Sequence, residues 1–224
     1  MKILALIPAR KNSKRLPKKN KINFFNMPLF LWSVNIAKKI PEICDILVST
    51  DDIEILKIAK KAKILAPWLR PKKLSSSIAT STDMALHALK WYEGQKGKVD
   101  GLLLLQPTSP LRKKKTLKKC IQLFKAKNCD SVITVKEVSQ NLKNYAQIKS
   151  GYIKPLLRKK ITQSLPKKIY QTDGSIYLVD PKVLKKSDNF YGKKAIPVII
   201  NSRAESIDID TLDDLELAKF YKKK

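Results

Sequence analysis

The chain of 224 residues carries 47 Lys and Arg against 19 Asp and Glu, a formal net charge of +28, and 43% of it is apolar. That apolar share argues for a packed core, and the length suffices for one sizeable α/β domain with a small appendage. No apolar run approaches the roughly 20 residues of a membrane span, and Cys44, Cys120 and Cys129 form no CxxC pair, which argues for reduced core cysteines and against a disulfide framework or zinc site.

So large a positive charge raises the question of nucleic acid. The lysines, however, recur in short runs over the whole length (KKK at 113–115, RKK at 158–160, KKK at 222–224). Aromatic residues do not interleave with them as a stacking platform requires. A lysine-biased solvated surface accounts for the pattern, and no nucleic-acid or membrane partner is expected.

The opening MKILALIPAR has an apolar core shorter than the roughly 7–15 residues of a secretion signal, and an Arg follows without a small-residue cleavage site. It reads as the first strand of a cytoplasmic protein, buried on both faces. IPARKNSKRLPKKN, at 7–20, then gathers Lys and Arg around one serine. Helical spacing follows at Leu29, Trp32 and Ile36, then a strand, DILVST, at 45–50. Ile55, Ile58, Ala59 and Ala62 repeat the helical pattern, as do Ala85, Ala88, Leu89 and Tyr92 before the apolar run DGLLLLQ at 100–106. Leu117, Cys120, Ile121 and Phe124 make another helix face, followed by SVITV at 131–135.

This alternation predicts a doubly wound, mostly parallel sheet with helices on both faces. Ligands of such sheets bind outside the carboxyl ends of the strands. The basic loop, STDD at 49–52 and QPTSPLR at 106–112 are therefore expected around one crevice. The rhythm breaks between 137 and 170, with a turn expected at Ser150-Gly151. Residues 1–136 and 171–224 read as the catalytic α/β domain and 137–170 as a small insertion. Strands resume at 174–180 and 195–200, and a helix over 211–221 closes the chain, with Thr211 and Asp214 as a capping pair.

A strand exit rich in Arg, Lys, Ser and backbone N–H groups suits an anion. Arg10 is able to grip phosphate in two-pronged fashion, Lys14 and Lys19 act as point charges, and Ser13 adds a donor. No Walker or GxGxxG pattern is present, so these residues alone fit either a phosphate site or a solvated basic loop. In ESIDIDTLDD, Asp208 and Asp210 alternate and share one face of an extended segment. Two carboxylates there suit Mg²⁺, with phosphate oxygens and waters completing the shell. An acidic helix start explains Asp213 and Asp214 but not that earlier pair.

The loop resembles the signature of the acylneuraminate cytidylyltransferases (CMP-sialic acid synthetases and relatives), usually IPARxxSKxxxxKN. The likeness continues through MPLFLWSVNIAKK, ILVSTDD, LRPKKLSSSIATSTDMALHAL, QPTSPLR, YQTDGSIYLV and SIDIDTLDDLELA, in the family's order. The resemblance implies a Rossmann-like nucleotidyltransferase domain that uses CTP and Mg²⁺ to activate a nine-carbon α-keto acid sugar, releasing pyrophosphate. It implies that Arg10, Ser13, Lys14 and Lys19 meet the CTP phosphates, and that Asn20, Arg70 and Ser81 meet the cytidine. Gln106 would stand between nucleotide and sugar, with Lys143, Gln163 and Tyr170 around the sugar. Asp208 and Asp210 match the metal pair; Arg10, Lys19 and Asp210 are the implied catalytic groups, Asp210 as a proton acceptor. The insertion matches the family's dimerisation element, which implies a homodimer.

Some positions depart from the family pattern. Lys11 and Asn12 replace usual glycines, Asn26-Met27 stands where glycine is favoured, and Asp173 stands where many members have asparagine. RLP at 15–17 also resembles the Kdo cytidylyltransferases, which act on an eight-carbon sugar acid; the KKN ending and QPTSPLR fit the acylneuraminate branch better. A basic nucleic-acid-binding protein is the alternative of another class. His87 falls in a helical pattern and reads as structural, and Trp32, Trp68 and Trp91 as packing residues.

Overall fold

Ile3, Ala5 and Ile7 face one side of the first strand and Leu4 and Leu6 the other, and all five are fully buried. A strand apolar on both faces needs a helical layer on each side. The computed structural model describes residues 1–13, 15–76, 78–126, 128–138, 145–155 and 168–224. In chain order its elements begin with β1 (Ile3–Pro8), the short pair β2 (Asn23–Phe24) and β3 (Met27–Pro28), α1 (Leu29–Ala37), β4 (Ile43–Ser49) and α2 (Ile53–Lys61). Then come α3 (Ser81–Lys96), β5 (Gly101–Leu105), α4 (Lys114–Ala126), β6 (Ser131–Glu137), β7 (Ala146–Lys149) and β8 (Tyr152–Pro155). The chain closes with β9 (Tyr170–Val179), α5 (Pro181–Ser187), β10 (Ala195–Ile199) and α6 (Leu212–Lys223).

Six strands form one sheet in the order β10-β6-β9-β5-β1-β4. β1 pairs in parallel with β4 and β5, and β10 in parallel with β6; β9 runs antiparallel to both its neighbours. The mostly parallel sheet expected from the sequence is therefore present, with one reversed strand. The reversal follows from where the chain re-enters: Tyr170 pairs with Glu137, so β9 starts at the carboxyl end of β6 and has to run back along it. α1, α2 and α4 cover one face, and α3 with Leu184 of α5 covers the other. A third cluster, including Leu16, Phe24, Ile209 and Leu215, seats α6 against the basic loop.

The β7–β8 hairpin turns through Ser150 (φ 53°) and Gly151 (φ 79°), where the sequence predicts a turn; left-handed backbone at both central positions suits the twist of a hairpin. Phe25 and Asn26 turn the β2–β3 pair at φ 48° and 65°, which is why glycine suits that position. Lys11 and Asn12 take no positive φ, so the loop follows its path without glycine. Of the cysteines, Cys120 is buried and Cys129 half-buried, but Cys44 is exposed. It lies on the sheet's edge strand, where its thiol donates to the Ile3 carbonyl at 3.3 Å. No helix among the described residues is long and apolar enough to cross a membrane.

Candidate active site

β1 is where the winding reverses, since the chain passes from β1 to β4 on one side and then to β5 on the other. A crevice opens at such a point. Here it holds a cleft of about 430 Å³ whose lining includes Arg10, Ser13, Arg15, Lys19, Arg70 and Asp210.

The basic loop is tied to the sheet by its own backbone. The Ala9 amide donates to the Ser49 carbonyl at 2.9 Å, Thr50 Oγ1 to the Ala9 carbonyl at 2.6 Å, and the Lys11 amide to Asp51 Oδ1 at 2.7 Å. Leu16 is buried in the third cluster, and the left-handed Lys18 (φ 54°) turns the chain into a single 3₁₀ turn, Lys19–Lys21. Asn20 Nδ2 then donates back to the Arg10 carbonyl at 2.8 Å and closes the loop. Lys21 anchors the turn from behind, 3.0 Å from Asp52 and 2.8 Å from Glu54. Motifs 7–20 and 49–52 are thus one mechanical unit, with backbone bonds on its inner side and cations on its outer side.

Asp210 meets that unit directly. Arg15 Nη2 lies 2.5 Å from Asp210 Oδ2, and Lys19 Nζ lies 2.7 Å from Oδ1. Burial of Ile207 and Ile209 in the third cluster leaves Asp208 and Asp210 on the opposite face of the segment, and the Ile209 amide pins it to the Thr108 carbonyl at 2.8 Å. Asp208 Oδ1 is buried with no hydrogen-bond partner among the described residues. Burial pushes the Asp208 carboxyl up from its ordinary value; the Thr108 hydroxyl opposes that push, the Asp210 charge adds to it, and Lys19 and Lys136 oppose it. No group of three or more His, Cys, Asp or Glu side chains placed to hold a metal ion exists among the described residues.

The far wall is the start of α3. Thr80 and Asp83 form a reciprocal capping box, and Ser81, the first helical residue, lines the cleft where the helix dipole is positive. Arg70 also lines it, its guanidinium buried and donating through Nη2 to the Ser49 carbonyl, its Nε without a partner among the described residues. Burial lowers its pKa to about 10, with Asp51 opposing and Arg10 adding to the shift, which still leaves the group charged at neutral pH.

Gln106 follows β5 and reaches the third side of the cleft. Its carbonyl is held by Arg112, 5% exposed, whose guanidinium donates to the carbonyls of Gln106 (2.9 Å) and Ser175 (2.7 Å) and to Ser33 Oγ (3.2 Å). Between Ile133 and Val135 the partner on β9 jumps from Tyr177 to Thr172, which bulges residues 173–176 toward the site. Gly174 (φ 76°) sits on that bulge, and a side chain there would touch Gln106 Oε1 and the Asp208 carboxylate. Asp173 is buried beneath, accepting from Thr134 Oγ1 at 2.6 Å and the Ser175 amide at 3.0 Å, its other oxygen unpartnered among the described residues. The substitution at 173 therefore places its charge in the support of the bulge.

The structure brings Arg10, Ser13, Lys19, Asn20, Arg70, Ser81, Gln106 and Asp210 around one cleft. Asp208 stands next to it, two residues from Asp210. Tyr170 is 40% exposed at the start of β9 and does not line the cleft. Lys14, Lys143 and Gln163 lie outside the described residues. Sequence reasoning missed Arg15, Asp51 and Arg112; each sits inside a quoted motif, but which one faces a carboxylate, a loop amide or a carbonyl is set by packing. His87 packs edge-on against Trp68, and Trp68 on Trp91, away from the cleft lining.

A mostly parallel α/β sheet with a cationic loop and two carboxylates at its winding reversal defines a nucleotide-handling enzyme of the Rossmann-like class. The chain belongs to the cytidylyltransferase family, whose model matches residues 4–222. It is 33% identical over 222 residues to a CMP-N,N'-diacetyllegionaminic acid synthase of Legionella pneumophila, covering 98% of this chain and 95% of that protein. It is 31% identical to a pseudaminic acid cytidylyltransferase of Campylobacter jejuni, covering 100% and 97%. Among solved structures, a CMP:2-keto-3-deoxy-manno-octonic acid synthetase complexed with CTP superimposes with a TM-score of 0.70 over 100% of this chain and 99% of that one, at 15% identity, a likeness of fold.

Proposed function

We propose that this protein transfers the cytidylyl group of CTP to a nine-carbon α-keto acid sugar of the sialic, legionaminic or pseudaminic type, releasing pyrophosphate. The observation that carries this reading is the convergence of Arg10, Arg15 and Lys19 with Asp210 in one cleft, in a chain that aligns end to end with sugar-acid cytidylyltransferases. The sugar's anomeric hydroxyl attacks the α-phosphorus, the new O–P bond forms as the bond to pyrophosphate breaks, and the hydroxyl proton passes to a carboxylate. Such a step is accelerated mostly by positioning and by neutralising charge. Arg10, Arg15 and Lys19 take the phosphate oxygens; Arg70, Ser81 and the start of α3 close the nucleoside end. Asp210 accepts the proton only once Arg15 and Lys19 have moved to the phosphates.

Mg²⁺ fits the donor set: two carboxylates two positions apart, one of them with a buried oxygen unpartnered among the described residues. Asp208 and Asp210 would hold it. When bound, it supplies charge to the phosphoryl oxygens.

A second copy of the chain is the proposed partner. Ile148 pairs with Ile153 and Ala146 with Pro155, so one hairpin face is apolar throughout, and the two isoleucines are 79% and 76% exposed. An apolar face on a projecting hairpin suits a symmetric contact. CTP is a cytoplasmic metabolite, and the reaction is placed there.

The test is pyrophosphate release from CTP and Mg²⁺ with N,N'-diacetyllegionaminic, pseudaminic, N-acetylneuraminic and Kdo acids, beside an RNA gel shift at moderate salt. Release with a nine-carbon acid is expected. Release with none of them, or salt-sensitive RNA binding without turnover, defeats the reading.

A further inference from the structure

Arg15 and Lys19 are not free to meet an anion. Arg15 Nη2 takes one oxygen of Asp210 and Lys19 Nζ the other, at 2.5 and 2.7 Å, so both oxygens of that carboxylate are engaged by cations of the basic loop. Asp208, two residues before it, is in the opposite condition, with Oδ1 buried and unpartnered among the described residues. One carboxylate of the pair has both oxygens taken by the protein's own cations, and the other keeps a buried oxygen unpartnered among the described residues.

From this arrangement we infer that nucleotide and divalent ion bind by exchange: the triphosphate draws Arg15 and Lys19 off Asp210, and the carboxylate so released joins Asp208 at the ion. Arg15 is the residue that makes the exchange possible. Its side chain is 67% exposed and leaves Asp210 without disturbing any packing, whereas the Lys19 side chain is 11% exposed and stays within the cleft wall. An ion arriving alone has to displace two cations, and a triphosphate arriving alone has to compete with a carboxylate for them. Each ligand therefore binds poorly by itself and raises the affinity of the other by the same factor, as linkage requires. The inference rests on the CTP and metal reading above, but it predicts a difference between Asp210 and Asp208 that the reading alone does not.

The full-length protein supplies the test. In EDTA, calorimetric titration with CTP is expected to give roughly fivefold tighter binding to Asp210→Asn than to wild type, because the competing charge is gone while the shape is kept. With Mn²⁺ alone, followed by electron paramagnetic resonance, Arg15→Ala is expected to bind the ion roughly fivefold more tightly than wild type, and Asp208→Asn more weakly. Plain charge repulsion would tighten metal-free CTP binding equally in Asp208→Asn and Asp210→Asn, whereas exchange predicts the gain chiefly in Asp210→Asn, because only that carboxylate holds Arg15 and Lys19; equal gains in the two variants overturn the exchange. Equal or weaker CTP binding by Asp210→Asn, or an unchanged or weaker Mn²⁺ affinity in Arg15→Ala, overturns the exchange while wild type still binds CTP with Mn²⁺. Wild type that binds CTP under neither condition overturns the proposed function as well.

Discussion

Lys19 Nζ lies 2.7 Å from Asp210 Oδ1 although 191 positions separate the two residues. The contact joins the loop after the first strand to the segment before the last helix. It makes the two charge-bearing motifs one site, which neither motif specifies alone. Lys19→Ala is expected to cut turnover on the order of a hundredfold, as for loss of a donor to developing charge. Its unfolding midpoint should stay close to wild type, because Arg15 still pairs with Asp210. Near-normal turnover in the purified variant would refute the assignment.

Arg112 is expected to matter through support. Removing its guanidinium leaves the Gln106 and Ser175 carbonyls without that donor and the buried Asp173 without a neighbouring positive charge. Arg112→Ala should cost about 1–3 kcal/mol in urea unfolding, as for buried acceptors left without their donor. Arg112→Lys should recover only part of this, since an ammonium cannot span both carbonyls and Ser33. A loss below about 1 kcal/mol would show that the network relaxes around the gap.

Asp52 gives a pH-dependent prediction. Burial by itself would raise its carboxyl, but the Lys21 ammonium and the Glu54 amide outweigh burial and hold it below the ordinary value. A carboxyl lowered in the folded state contributes stability above its unfolded pKa, about 3.9, and loses it as pH falls through the lower folded value. Asp52→Asn keeps a good helix cap and removes the charge. Wild type should therefore exceed the variant by about 1–3 kcal/mol at neutral pH, with the gap closing below pH about 4. A gap that does not depend on pH would contradict the ion pair.

For the hairpin, Ile153→Lys places a charge in the middle of the exposed apolar face. Sedimentation should report a dimer for wild type and a monomer for the variant at equal concentration, with little change in unfolding midpoint, since Ile153 is not part of the core. A monomeric wild type, or a variant that stays dimeric, removes the hairpin as the interface.

Much of the fold was legible because hydrophobic spacing is a local property. The doubly buried β1, the helical faces of α2 and α4, the Thr211–Asp214 cap and the Ser150-Gly151 turn follow from residues a few positions apart. The reversed direction of β9 was not legible, since strand periodicity is the same either way along the chain. The exposure of Cys44 depends on β4 being an edge strand, which is again a matter of sheet order.

By itself, then, the sequence determined the layered α/β class, the family motifs and the side chains available for an anion and a divalent ion. Those follow from residue type and short-range spacing. The tertiary structure alone decided that Arg15 and Lys19 share Asp210, that Asp51 ties down the loop through the Lys11 amide, and that Arg112 supports Gln106 and the β9 bulge. These pairings span up to 195 positions, and their partners are chosen by sheet register and by how the third apolar cluster seats the last helix.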